Sequence, residues 1–93
     1  MKIEHDEARN RFVAPLAQGE EGYLAYERAG PDTLDFQHTV VPPEARGQGV
    51  GEALVTAAFD YARQNGQRVI PTCGFVRGWM KEHPEADDLI ARR

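Results

Sequence analysis

Cysteine is almost missing from this chain: Cys73 is the only one in 93 residues. A lone cysteine closes no internal disulfide, so the fold rests on packing, and a reducing cytoplasm is the expected setting. No run of about 18 apolar residues offers a membrane span. The first eleven residues carry Glu4, Asp6 and Glu7 and no apolar stretch, unlike a secretory leader. An excess of basic charge is also absent. Eleven Lys and Arg face fifteen Asp and Glu, for a net charge of −4. That balance sets nucleic acid and membrane surfaces aside as partners and suits a cationic one better. There is no internal repeat and no low-complexity tract. His5, His38, His83 and Cys73 have no ligand-like spacing, so no metal is expected.

What remains is material for one small domain over residues 1–93. Residues 3–7 and 11–16 read as strands joined by a turn at Ala8-Arg9-Asn10. Pro15 lacks an amide donor and belongs at a strand end. Residues 22–28 alternate, with Tyr23 and Ala25 on one face and Leu24 and Tyr26 on the other. Ala29-Gly30-Pro31-Asp32 is a turn. The longest strand follows over 33–41, and strict alternation puts Leu34, Phe36, His38 and Val40 on one face. These four strands form an antiparallel meander that Pro42-Pro43 ends. Val50, Leu54, Val55, Ala58, Phe59, Tyr61 and Ala62 recur at helical spacing and predict a helix over 48–65, stopped at Asn65-Gly66. A short strand over 68–71, a short helix over 74–82 and a last helical segment over 84–90 complete the chain. Trp79 and Met80 read as core, Asp87-Asp88 as a solvated face, and His5 and His83 as structural.

One segment carries recognisable chemistry. Arg46-Gly47-Gln48-Gly49-Val50-Gly51 lies between the longest strand and the amphipathic helix. The first turn of a helix leaves amide N–H groups unpaired at the positive end of its dipole. Glycines let an anion approach that backbone, and Arg46 adds a charge-assisted contact. A phosphate or pyrophosphate is the expected ligand, and a plain glycine-rich turn is the competing reading. No Gly-Lys-Ser/Thr follows, so this is not a P-loop. Glu52 stands where the dinucleotide fingerprint needs its third glycine, so that pattern fails as well.

Cys73 follows a strand and precedes a helix. A thiol at a helix N-terminus is acidified and nucleophilic, yet free cysteines are also common small core residues. His38 offers an imidazole that accepts protons near neutral pH, or a structural side chain bonded within the sheet. The local sequence leaves both pairs of readings open.

Arg46-x-x-Gly49-x-Gly51, after a long strand and before a helix, resembles the pyrophosphate motif Q/R-x-x-G-x-G/A of the GCN5-related N-acetyltransferases. His38-Thr39-Val40-Val41-Pro42, the glycine loop, Val69-Ile70-Pro71-Thr72-Cys73-Gly74-Phe75-Val76 and His83-Pro84 resemble its minimal, N-acetyltransferase domain-containing 1 type. The resemblance runs from about residue 22 to 90. It implies an α+β, acyl-CoA N-acyltransferase-like fold: a truncated, mostly antiparallel sheet packed by a central helix, its last two strands parallel around that helix. It also implies acetyl-CoA as the donor. The pyrophosphate would lie on Arg46, Gly47, Gln48, Gly49, Val50 and Gly51, and the pantetheine on the backbone of Thr39, Val40 and Val41, with Phe75 beside it. The acetyl end would lie near Cys73 and His38. A strand rises about 3.3 Å per residue, which sets His38 about 13 Å back from Pro42. Members of this type are thought to use the cysteine of the Pro-x-Cys-x-Phe segment, here Pro71, Cys73 and Phe75. The expectation is a monomeric acetyltransferase acting on an amine-bearing small molecule or a protein lysine, either through acetyl-Cys73 or by direct attack with His38 as base. The competing expectations are a non-catalytic acetyl-CoA sensor and an interaction domain. Arg68 and Arg77 are read as partners in surface salt bridges before contacts of the adenosine phosphate.

Overall fold

The computed structural model describes residues 1–91. Five strands form one sheet in sequential order: β1 (Glu4–Asp6), β2 (Arg11–Pro15), β3 (Glu21–Arg28), β4 (Thr33–Val40) and β5 (Arg68–Pro71). Neighbours run antiparallel as far as β4, and β5 pairs with β4 in parallel. The connection between those last two strands contains α1 (Val50–Gln64), as a parallel pair requires. After β5 come α2 (Gly74–Lys81) and a 3-10 segment, Pro84–Leu89, where the sequence suggests an α-helix. Ile90 then bridges back to Val69. Among the described residues, no helix is long and apolar enough to cross a membrane.

The helix α1 ends where its sequence says it should. Gly66 takes a left-handed φ of 64°, its amide donates to the Arg63 carbonyl, and the Gln67 amide donates to Ala62. Those two bonds satisfy carbonyls that the helix end would otherwise leave open. The buried side of α1 (Val50, Leu54, Val55, Ala58, Phe59 and Ala62) packs on one face of the sheet, built from Phe12, Ala14, Leu24, Tyr26, Leu34 and Phe36. The stripe is wide because the small residues Ala58 and Ala62 let helix and sheet approach closely. Phe36 meets Phe59 edge to face at 5.4 Å, Phe59 stacks on Trp79 at 4.9 Å, and Trp79 stacks on His83 at 4.0 Å.

Strict alternation fails in β4. Tyr26 pairs with Phe36, but Ala25 pairs with His38, so Gln37 has no partner and forms a bulge. An extra residue on one strand reverses the faces of everything beyond it. Leu34 and Phe36 are buried against α1, whereas His38 and Val40 lie exposed on the open face of the sheet. Thr39, opposite the buried Leu24, takes the helix-facing side instead. The expectation that His38 shares a face with Phe36 is therefore corrected. Val40 does keep company with His38, but on the opposite side from Phe36.

His5 sits at the other end of the core. Its ring stacks on Phe12 at 4.3 Å, meets Tyr61 edge-on at 4.4 Å and hydrogen-bonds the Tyr26 hydroxyl at 2.6 Å. Burial, opposed by the Glu7 carboxylate, pulls the imidazole below its ordinary value of 6.5. The folded chain therefore binds a proton at His5 less readily than the unfolded chain. Stability should fall as pH drops from 7 towards 5, because the unfolded state takes up more protons there. That window lies above Asp6 and Asp88, whose carboxyls are held low by Arg9 and Arg63. Urea midpoints at pH 7.5 and 5.5 should show the fall in the native chain and a flatter dependence in His5→Phe.

Candidate functional site

The parallel pairing of β4 with β5 stops at Phe36 and Pro71. Beyond that rung β4 bulges and continues to Val40, while the other chain turns away through Thr72 into α2. The Cys73 amide donates to the Phe36 carbonyl at 2.9 Å and closes the divergence. Residues 37–40 therefore have no strand partner on the β5 side, and unpaired strand backbone is a template for an extended, amide-bearing chain.

Cys73 is the N-cap of α2 and is 9% exposed. Its sulfur lies 3.5 Å from the Thr39 hydroxyl, which the bulge has turned towards it. Burial pushes the thiol up. The Thr39 hydroxyl and the Val76, Phe75 and Thr39 amides more than offset that, and the thiol sits below its ordinary value. The direction is that of a cysteine prepared to act as a thiolate.

The glycine loop opens with a 3-10 turn at Pro43–Ala45. Gly47 and Gly49 have φ of 80° and 81°, a conformation that costs most residues dearly and glycine nothing. Gly49 is the N-cap of α1. It has no side chain to cap the helix, so the first-turn amides stay available to an anion. Arg46, Gly47 and Gly49 of the loop, with Thr39, Val41, Ala45, Val50, Gly51, Glu52 and Phe75, line a groove of about 310 Å³. Phe75 is half exposed and lies over Gly51, where a Cβ would fall 2.7 Å from the ring. A pyrophosphate with a pantetheine arm fits this cradle: glycine backbone at one end, open strand backbone along it, an aromatic lid and a thiol at the other end.

Most of the residues marked in the sequence converge here. Thr39, Val41, Arg46, Gly47, Gly49, Val50, Gly51 and Phe75 line the groove, and Cys73 adjoins it through Thr39. Gln48 does not line it; its side chain donates to the Glu44 carbonyl and closes the loop. Val40 is 40% exposed on the open face, so only its backbone belongs to the unpaired edge. His38 and Cys73 are not brought together on one face, because adjacent strand residues point opposite ways and Thr39 holds the sulfur. Among the described residues, Arg68 and Arg77 form no salt bridge and bond backbone carbonyls instead. Arg68 donates to the Asp88 carbonyl and Arg77 to the carbonyls of Pro71 and Thr72. The sequence reading missed the Thr39 side chain as a partner of Cys73, since nothing in the residue pattern marks the bulge. It also missed Ala45 and Glu52 as lining residues.

Comparisons with known proteins identify the family and the fold. The family model described as GCN5-related N-acetyl-transferase matches residues 11–89. Protein NATD1 of Xenopus tropicalis is 34% identical over 85 residues, covering 90% of this chain and 78% of that protein. Protein NATD1 of Homo sapiens is 33% identical over 85 residues, covering 90% and 75%. Among solved structures, the NMR structure of a GCN5-like N-acetyltransferase candidate from Staphylococcus aureus superposes with a TM-score of 0.74. It is 25% identical and covers 99% of this chain and 89% of that one. The chain belongs to the GCN5-related N-acetyltransferase family.

Proposed function

We propose that this protein transfers an acetyl group from acetyl-CoA to an amine, and that Cys73 carries the acetyl group between them. The observation that supports this reading is the acidified Cys73 sulfur, held by Thr39 at the point where β4 and β5 diverge, at the end of a groove suited to an acyl-CoA. Acetyl-CoA supplies an activated thioester. The amides at the start of α1 and Arg46 bind the pyrophosphate, and the open edge of β4 beside Thr39 and Val41 orients the arm.

The Cys73 thiolate attacks the thioester carbonyl. A new carbon–sulfur bond forms to Cys73, the bond to CoA breaks, and CoA leaves as its thiolate. An amine then attacks acetyl-Cys73, gives its proton to a base and releases the thiolate. His38 lies on the opposite face of β4 from the Cys73 sulfur, so in this route the amine's proton passes to solvent. Arg11 lies over the Tyr23 ring at 4.0 Å on the open sheet face that carries His38. Direct attack by the amine, with His38 as base, is the second reading, favoured by the exposure of His38.

Calorimetric titration with acetyl-CoA, followed by intact-mass measurement, tests the proposal. The expected result is saturable binding and a single acetyl adduct at Cys73 that a primary amine discharges. Binding without an adduct would favour direct attack. No binding at millimolar acetyl-CoA would overturn both readings.

A further inference from the structure

The divergence of β4 from β5 is tied on both faces of the sheet. On the helix side the tie is Thr39 to the Cys73 sulfur, at 3.5 Å. On the open side, the Thr72 hydroxyl donates to one oxygen of Asp35 at 2.5 Å. The other Asp35 oxygen accepts from the Gln37 amide at 3.3 Å, and Gln37 also donates to Glu27 at 2.9 Å. Between the two faces runs one backbone rung, from the Cys73 amide to Phe36. Asp35 therefore joins the bulge residue that turns Thr39 towards the sulfur to the residue preceding Cys73. The arrangement is costly in itself, since Asp35 pairs directly with Glu27 across the strands and like charges repel there. The Gln37 side-chain amide, which donates to both carboxylates, offsets part of that repulsion.

We infer that Asp35 is a positioning residue for Cys73: through the Thr72 hydroxyl it fixes the Thr72-Cys73 turn against β4 and so keeps the sulfur on Thr39. The inference rests on the reading of Cys73 as the reacting group, but its test does not need acetyl transfer. Iodoacetamide alkylates the chain's one cysteine, and intact mass gives the rate at each pH. Asp35→Ala and Thr72→Val should each lower the rate at pH 7 about fivefold, the equivalent of one net hydrogen bond, and move the midpoint of the pH profile up. Asp35→Asn and Thr72→Ser keep an acceptor and a hydroxyl, and should stay within about twofold of the native rate. The double variant Asp35→Ala/Thr72→Val should be no worse than either single one, since both break the same bond.

A carboxylate acting only by its charge gives the opposite sign. Both Asp35→Asn and Asp35→Ala would then move the midpoint down, and the inference would fall. It would fall equally if Asp35→Ala and Thr72→Val kept the native profile. Thermal unfolding of each variant separates a loosened turn from an unfolded chain, and Thr72→Val, nearly the same size as threonine, keeps the test open if Asp35→Ala does not fold. A native alkylation profile in a chain that forms no acetyl adduct would count against Cys73 as carrier and leave the positioning of its sulfur untouched.

Discussion

Cys73→Ala should form no acetyl adduct and lose transfer on the order of a thousandfold or more, the scale seen when an enzyme's nucleophile is removed. It should still bind acetyl-CoA within about threefold, because the sulfur adjoins the groove and does not line it, and a bound ligand loses few contacts. Cys73→Ser should be as inactive. A serine hydroxyl has no acidified, polarisable sulfur, and the amides of α2 do not ionise an alcohol near neutral pH. The remaining control is Thr39→Val, which removes the hydroxyl beside the sulfur. Its profile should shift to higher pH, since one of the groups that holds the thiol low is gone. In the native chain the rate should rise with pH through that lowered value and then level off as the thiolate becomes fully formed. Steady-state rates across pH 5 to 9 check each point. Transfer by Cys73→Ala at the native rate would eliminate the covalent route.

Phe36→Ala should be the most destabilising single change near the site. Phe36 is fully buried, its ring packs edge to face on Phe59, and its carbonyl receives the Cys73 amide. Removing a buried phenylalanine costs about 3–5 kcal/mol through lost burial and the cavity left behind. The whole stability of a small domain is about 5–15 kcal/mol. For a domain of this size the melting temperature should fall by more than about 10 °C. Phe36→Leu refills most of the space and should cost much less. Urea denaturation of the three proteins checks the order. A small effect of Phe36→Ala would mean that the sheet and α1 close over the gap, which the packing around Phe59 and Trp79 does not favour.

The local conformation of the glycine loop was legible because it depends on residue type at fixed offsets. Gly47 and Gly49 take the positive φ that only glycine adopts freely, and the helix that follows announces itself by its spacing. The helix stop at Asn65-Gly66 and the alternation in β3 were legible for the same reason. The face reversal in β4 was not. A bulge is a property of two strands paired out of step, and the residues 36–40 read alone alternate without a break. One unpaired residue, Gln37, is enough to put Thr39 where alternation placed His38.

The sequence by itself determined the elements, their order, the glycine loop before α1 and the family, because each of these follows from periodicity or from a motif within a short stretch of chain. The tertiary structure decided which side chains meet. Cys73 and Thr39 are 34 residues apart in the chain and Thr72 and Asp35 are 37 apart. Contacts of that range depend on strand register and on where a parallel pair ends, and those are set when the sheet, α1 and the turn before α2 pack together.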